Sequence, residues 1–123
     1  MAQLPPFVTP TDAAREIALA IDRLGGHVEL YKELVTRFLT DTAGTRRNLQ
    51  AAVEKGDPDA IHRTAHSLKG LAASCGAMGV AHVLSQLESI GQENRMSDLP
   101  AAWEQFHNQM VLAEKDLAPY RNG

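Results

Sequence analysis

Apolar residues recur along this chain at intervals of three and four, the period of helices that bury one stripe, and no stretch alternates as a strand would. Ile17, Ile21 and Leu24 mark a short helix from about Thr11 to Leu24, stopped by Gly25-Gly26. Val28, Tyr31, Leu34, Val35 and Phe38 open a second helical stretch over about 27–55, which Leu49, Ala52 and Val53 close. Between them, Thr40-Asp41-Thr42-Ala43-Gly44 is poor helix material and predicts a kink or break. At 56–58 the signals are sharper: Gly56 ends one helix, Asp57 caps the next, and Pro58 fits its first turn.

A third helix is predicted from Asp57 to Cys75, with Gly76 as its terminator. A fourth covers about 77–91, with Val80, Val83, Leu84, Leu87 and Ile90 on one face. The last starts near Asp98-Leu99-Pro100 and runs to about Leu117, its seam formed by Leu99, Trp103, Phe106, Met110, Ala113 and Leu117. Long amphipathic segments with short connections predict an all-α fold, an antiparallel four-helix bundle with an additional short N-terminal helix. The bundle domain spans 11–118, after an extended lead-in at 1–10 that carries Pro5, Pro6 and Pro10, and before a tail at 119–123.

Composition narrows the function classes. A chain of 123 residues with 44% hydrophobic residues, 22% charged residues and a net charge of −3 fits one globular domain and argues against a nucleic-acid partner. The single cysteine, Cys75, precludes an intrachain disulfide and fits a reducing compartment. No apolar run approaches the roughly 20 residues that span a bilayer, and MAQLPPFVTP lacks the basic-then-apolar pattern of a secretory signal. The expectation is a cytoplasmic domain without membrane insertion.

The candidate chemistry lies at AHSLKG, residues 65–70. With His66 at 0° on a helical wheel, Ile61, Leu68, Leu71, Ala72 and Cys75 fall between about 140° and 240° and define the buried side. His62, Lys69, Gly70 and Ala73 fall within about 60° of His66, on the solvent side. A neutral imidazole is a good nucleophile near neutral pH, and a lysine one turn along attracts an anion delivered to the ring. Gly70 lowers helix propensity there, and it leaves room for a partner to approach.

The stretch AHSLKGLAASCGAMGV at 65–80 resembles the signature of histidine phosphotransfer (HPt) domains, in which His-x-x-Lys-Gly precedes a Gly-Ala helix break. LGGHVELYKELVTRFL at 24–39, AAVEKGDPDAIHRTAHSLKG at 51–70 and LSQLE at 84–88 extend the likeness over roughly residues 11–118. The resemblance implies that His66 is the phosphoryl acceptor at Nε2, that Lys69 neutralises the phosphoryl charge, and that Gly70 stays open for the docking partner. Ala73 and the flanking His62 extend that docking surface, with Phe38 or Leu39 as apolar candidates that also fit the core. In some family members a Gln on the following helix orients the ring; the motif spacing puts that position at Glu88, whereas this chain's glutamine is Gln86.

The implied mechanism is a relay between aspartates of receiver domains, belonging to response regulators or to a hybrid sensor histidine kinase. The chain would act as a phosphocarrier and not as a kinase, since it has no glycine-rich nucleotide loop. It would need no cofactor of its own, the Mg²⁺ belonging to the partner receiver. It has little chain to spare for extra dimerisation helices, so a monomer is expected. Two other classes compete. One is a helical adaptor that binds a receiver or kinase domain without transfer. The other is a metal site on His62 and His66, whose i, i+4 spacing suits helical zinc ligands but reads HRTAH, without the glutamate of His-Glu-x-x-His. His82 is expected to face water, and His27 and His107 to lie at the surface or on helix flanks.

Overall fold

The Gly56-Asp57-Pro58 run fixes the first corner of the bundle. In the computed structural model, which describes residues 10–122, α1 (Pro10–Arg23) precedes α2 (Val28–Lys55), α3 (Pro58–Ser74), α4 (Met78–Glu93) and α5 (Leu99–Leu117). Short 3₁₀ turns sit at Met96–Asp98 and Ala118–Tyr120, and no strand occurs among the described residues. Gly56 leaves α2 in the left-handed conformation with φ 64°, and the Asp57 carboxylate accepts the Ala60 N–H at 3.2 Å. Pro58 then occupies the first turn of α3, where no N–H is needed.

The second corner is the α3–α4 turn. Gly76 has φ 78°, and a Cβ there would stand 2.7 Å from the Glu16 carbonyl oxygen of α1. Only glycine both adopts that conformation and lets α1 seat on the turn. Above it, α3 packs on α2 and α4, while α5 packs on α4 and α2. The result is an all-α antiparallel four-helix bundle with α1 laid against one end.

The interior is built from the predicted stripes. Tyr31, Phe38, Leu49, Ile61, Leu84, Leu87, Phe106 and Met110 are fully buried, each large side chain contributing roughly 1.5–3 kcal/mol by leaving water. Phe38 is therefore core and not a docking residue, whereas Leu39 is half-buried, packed against the core. Tyr31 donates its hydroxyl to the Cys75 carbonyl at 2.6 Å, satisfying an acceptor at the end of α3. Burial foremost, then Cys75 and Tyr120, pushes the Tyr31 phenol above its ordinary value, so it stays a donor. Burial also raises the Cys75 thiol to about 12, which leaves it inert.

Three expectations need correction or placement. α2 runs unbroken from Val28 to Lys55 where a kink or break was predicted at 40–44. Phe38 and Leu49 are both fully buried on either side of that stretch, and tertiary packing overrides weak local propensity. The tail at 119–123 is seated on α2 over its described residues: Tyr120 meets Tyr31 edge-on at 5.3 Å, and the Asn122 N–H donates to Thr36 Oγ1 at 2.9 Å. The lead-in at 1–10 lies outside the described residues except for Pro10, which begins α1.

Candidate functional site

The buried residues Ile61, Ala65, Leu68 and Ala72 turn one side of α3 inward, and this sends His66 outward. Its side chain is 67% exposed. One turn along the same face come Lys69, half-buried, and Gly70, where an added Cβ would meet nothing within 4 Å. Ala73 is half-buried and borders a groove with Ser74, Met78 and the α1 residues Glu16 and Arg23. The wheel thus placed His66, Lys69, Gly70 and Ala73 on one accessible side.

The residue that organises this side comes from α4. Glu88 Oε2 lies 2.6 Å from His66 Nδ1, and Glu88 Oε1 accepts from Lys69 Nζ at 2.5 Å. The glutamate side chain is only 15% exposed, against 67% for the imidazole it holds. The Lys69 hydrogen bond is the largest influence on its carboxyl and holds it below the ordinary carboxylate value. Partial burial acts the other way, and the His66 hydrogen bond adds to the lowering. An ionised carboxylate only accepts hydrogen bonds, so the proton between Glu88 and His66 belongs to Nδ1. The neutral ring then has its lone pair on Nε2, the atom turned away from Glu88.

Gln86 does not share this position. Two residues along a helix are about 200° apart, so Gln86 and Glu88 cannot face α3 together. Gln86 borders a cleft with Ile90, Arg95, Asp98, Ala102 and Gln105 on the α5 side, which removes it as a ring-orienting candidate. His62 is also placed differently from a free flanking side chain. It is half-buried, and its Nδ1 lies 3.0 Å from the Glu88 backbone carbonyl. The signal in the sequence for this close α3–α4 approach is Gly91, one turn beyond Glu88. A Cβ at Gly91 would collide with the Pro58 carbonyl oxygen and stand 2.8 Å from the His62 nitrogen.

The other histidines stay apart from this constellation. His107 meets Trp103 edge-on at 4.6 Å, and His82 is half-buried on α4. Among the described residues, no group of three or more His, Cys, Asp or Glu side chains is placed to hold a metal ion. No described helix is long and apolar enough to cross a membrane.

What remains is an outward nucleophilic nitrogen, backed by a carboxylate on the ring's far side and flanked by an ammonium group. Such a site accepts an electrophile carrying negative charge, without needing a pocket to enclose it. A family model described as Hpt domain matches residues 33–116, more than half of the chain and all of this site. No curated protein and no solved structure matches the chain.

Proposed function

Because the chain belongs to the Hpt domain family, we propose that its His66 Nε2 takes a phosphoryl group from a receiver-domain aspartate and passes it to another. Hpt domains are phosphocarriers of phosphorelays, partners of receiver domains and not kinases. The finer reading rests on one observation above all: Glu88 occupies His66 Nδ1 at 2.6 Å, which leaves Nε2 for chemistry on a side chain that is 67% exposed.

In the transfer, the Nε2 lone pair attacks phosphorus in line while the bond to the donor carboxylate oxygen breaks, the electron pair leaving with that oxygen. The ring keeps its Nδ1 proton and gains positive charge, which the Glu88 carboxylate stabilises, much as a buried aspartate stabilises a catalytic imidazolium. Lys69 carries three N–H donors, so one can remain on Glu88 while the others meet the phosphoryl oxygens. Return of the phosphoryl group to a second aspartate is the same step reversed. Positioning and charge neutralisation carry most of such a reaction. We assign this chain no cofactor of its own; the Mg²⁺ of the reaction belongs to the receiver's carboxylates.

Docking centres on the open ground at Gly70, with Ala73 and the bordering α1 residues at its edge. The interface is modest and transient, at the small end of the size range. We take the protein as a cytoplasmic monomer that presents this one face to receivers of a response regulator or a hybrid sensor kinase. Incubation with a phosphorylated receiver domain tests the proposal: acid-labile, alkali-stable label on this chain supports it, and binding without label replaces it with an adaptor.

Gly70 separates docking from folding. Gly70→Ala adds a methyl group into open space and removes a helix-interior glycine, which raises stability by about 1 kcal/mol and the melting temperature by about 4 °C. Transfer from a receiver slows in this more stable protein, whereas uptake from the small donor phosphoramidate holds. A stable variant that accepts from the receiver at the parent rate would remove Gly70 from the docking surface.

A further inference from the structure

His62, His66 and Lys69 lie at i, i+4 and i+7 on α3, and all three side chains end on one residue of α4. His66 and Lys69 hold the Glu88 carboxylate, while His62 Nδ1 lies 3.0 Å from the Glu88 backbone carbonyl. A carbonyl oxygen only accepts, so His62 Nδ1 is the donor and its tautomer is set. The carbonyl has two lone pairs and can take this bond beside its own helical one.

The same residue also meets the α4 backbone. One turn past Glu88, a Cβ at Gly91 would stand 2.8 Å from the His62 nitrogen and 3.1 Å from its Cβ. His62 is therefore tied to α4 through its ring, at a level where its main chain leaves no room for a side chain on α4. Direct influence on His66 is weak by comparison. The two rings are 20° from parallel, but their centroids are 6.4 Å apart, near the outer end of the range for ring pairs.

From this convergence we infer that His62 is a positioning residue: by gripping the main chain of Glu88 it sets where the glutamate carboxylate meets His66 and Lys69. Glutamate has three rotatable side-chain bonds, and its reach to two partners at once depends on where its backbone sits. Gly91 fixes the distance between the helices at this level. The His62 bond fixes how far α4 is rotated and slid along α3. Outer-shell partners that orient metal-bound histidines are worth about 10–100-fold, and a positioning residue one step removed from His66 is expected to fall at the lower end of that scale. This inference rests on the phosphotransfer reading for its rate measurement, but not for its spectroscopic one.

The test compares the parent protein with His62→Ala, His62→Gln and His62→Asn, phosphorylated by phosphoramidate so that no protein has to dock. Asparagine places an N–H donor near the position of Nδ1, whereas glutamine places its amide nearer that of Nε2. His62→Ala and His62→Gln are expected to slow labelling about 10-fold, and His62→Asn to restore most of it. In ¹⁵N spectra of the unphosphorylated proteins, His66 holds the Nδ1–H tautomer in the parent and in His62→Asn. It shifts toward a tautomer mixture in His62→Ala.

Parent-like rate and parent-like His66 shifts in His62→Ala would overturn the inference. So would equal rates for the Asn and Gln variants, a comparison that stands even if the Ala variant folds poorly. Slowing with a phosphorylated receiver but not with phosphoramidate would also overturn it, and would return His62 to the docking surface. If His66→Gln were labelled as well as the parent, the acceptor assignment would fall instead. The tautomer shifts would then still decide the role of His62.

Discussion

His66→Gln takes up no label from a phosphorylated receiver domain, a loss of at least about 10³-fold, as expected when a nucleophile is removed. Glutamine offers an amide nitrogen whose lone pair is delocalised, so no nitrogen remains to attack phosphorus. The substitution is at a side chain that is 67% exposed and gives up at most the hydrogen bond to Glu88, a cost of about 1.5–3 kcal/mol that a folded domain of this size withstands. The variant therefore stays folded and still docks, and circular dichroism with a receiver-binding assay separates lost chemistry from lost structure. The parent's label is acid-labile and alkali-stable, as a phosphorus–nitrogen bond requires. Equal label on parent and variant would move the acceptor elsewhere. Zinc retained through dialysis by the parent and lost in His62→Ala would favour the metal reading.

The second large effect is on the scaffold. Gly91→Ala destabilises the bundle by about 1–3 kcal/mol, the range of overpacking against a well-packed interior. The new methyl group would meet main-chain atoms, the Pro58 carbonyl oxygen and the His62 nitrogen, and neither can swing aside as a side-chain tip can. α4 has to move off α3, which draws the Glu88 carboxylate away from His66 and Lys69. Urea unfolding reads the first consequence as a midpoint lowered by about 1–2 M. Phosphoramidate labelling reads the second as a slower rate in the protein that remains folded. Gly70→Ala is the matched control, because it makes the same change on the same pair of helices but into open space. A cost below about 0.5 kcal/mol for Gly91→Ala, within the range of surface changes, would show that Gly91 does not set the interhelix spacing.

The contrast between these two glycines shows what the chain reveals and what it hides. Asp57 and Pro58 announce the start of α3, since capping chemistry is local. The outward direction of His66 follows from Leu68 and Ala72 within the same helix. Such features need only the period of one helix.

The Glu88 carboxylate on His66 depends on how α4 is rotated against α3, which no single helical wheel contains. The motif spacing pointed to Glu88 and the residue type to Gln86, and nothing within one helix decided between them. Gly91 carried the information, but a glycine near the end of a predicted helix reads as a stop and not as a close crossing. The grip of His62 on a backbone carbonyl left no trace at all, because every residue has a carbonyl. The unbroken α2 shows the opposite failure: Thr40 to Gly44 disfavour helix locally, and packing at Phe38 and Leu49 prevails.

The Glu88 hydrogen bond decides which ring nitrogen of His66 accepts the phosphoryl group. Histidine-labelled protein, phosphorylated and observed by ¹⁵N and ³¹P NMR, answers this directly. We predict ³¹P coupling at Nε2 of His66 with a proton retained at Nδ1, in slow exchange and shifted by the Glu88 hydrogen bond. Phosphorus on Nδ1, or on any residue other than His66, would contradict it.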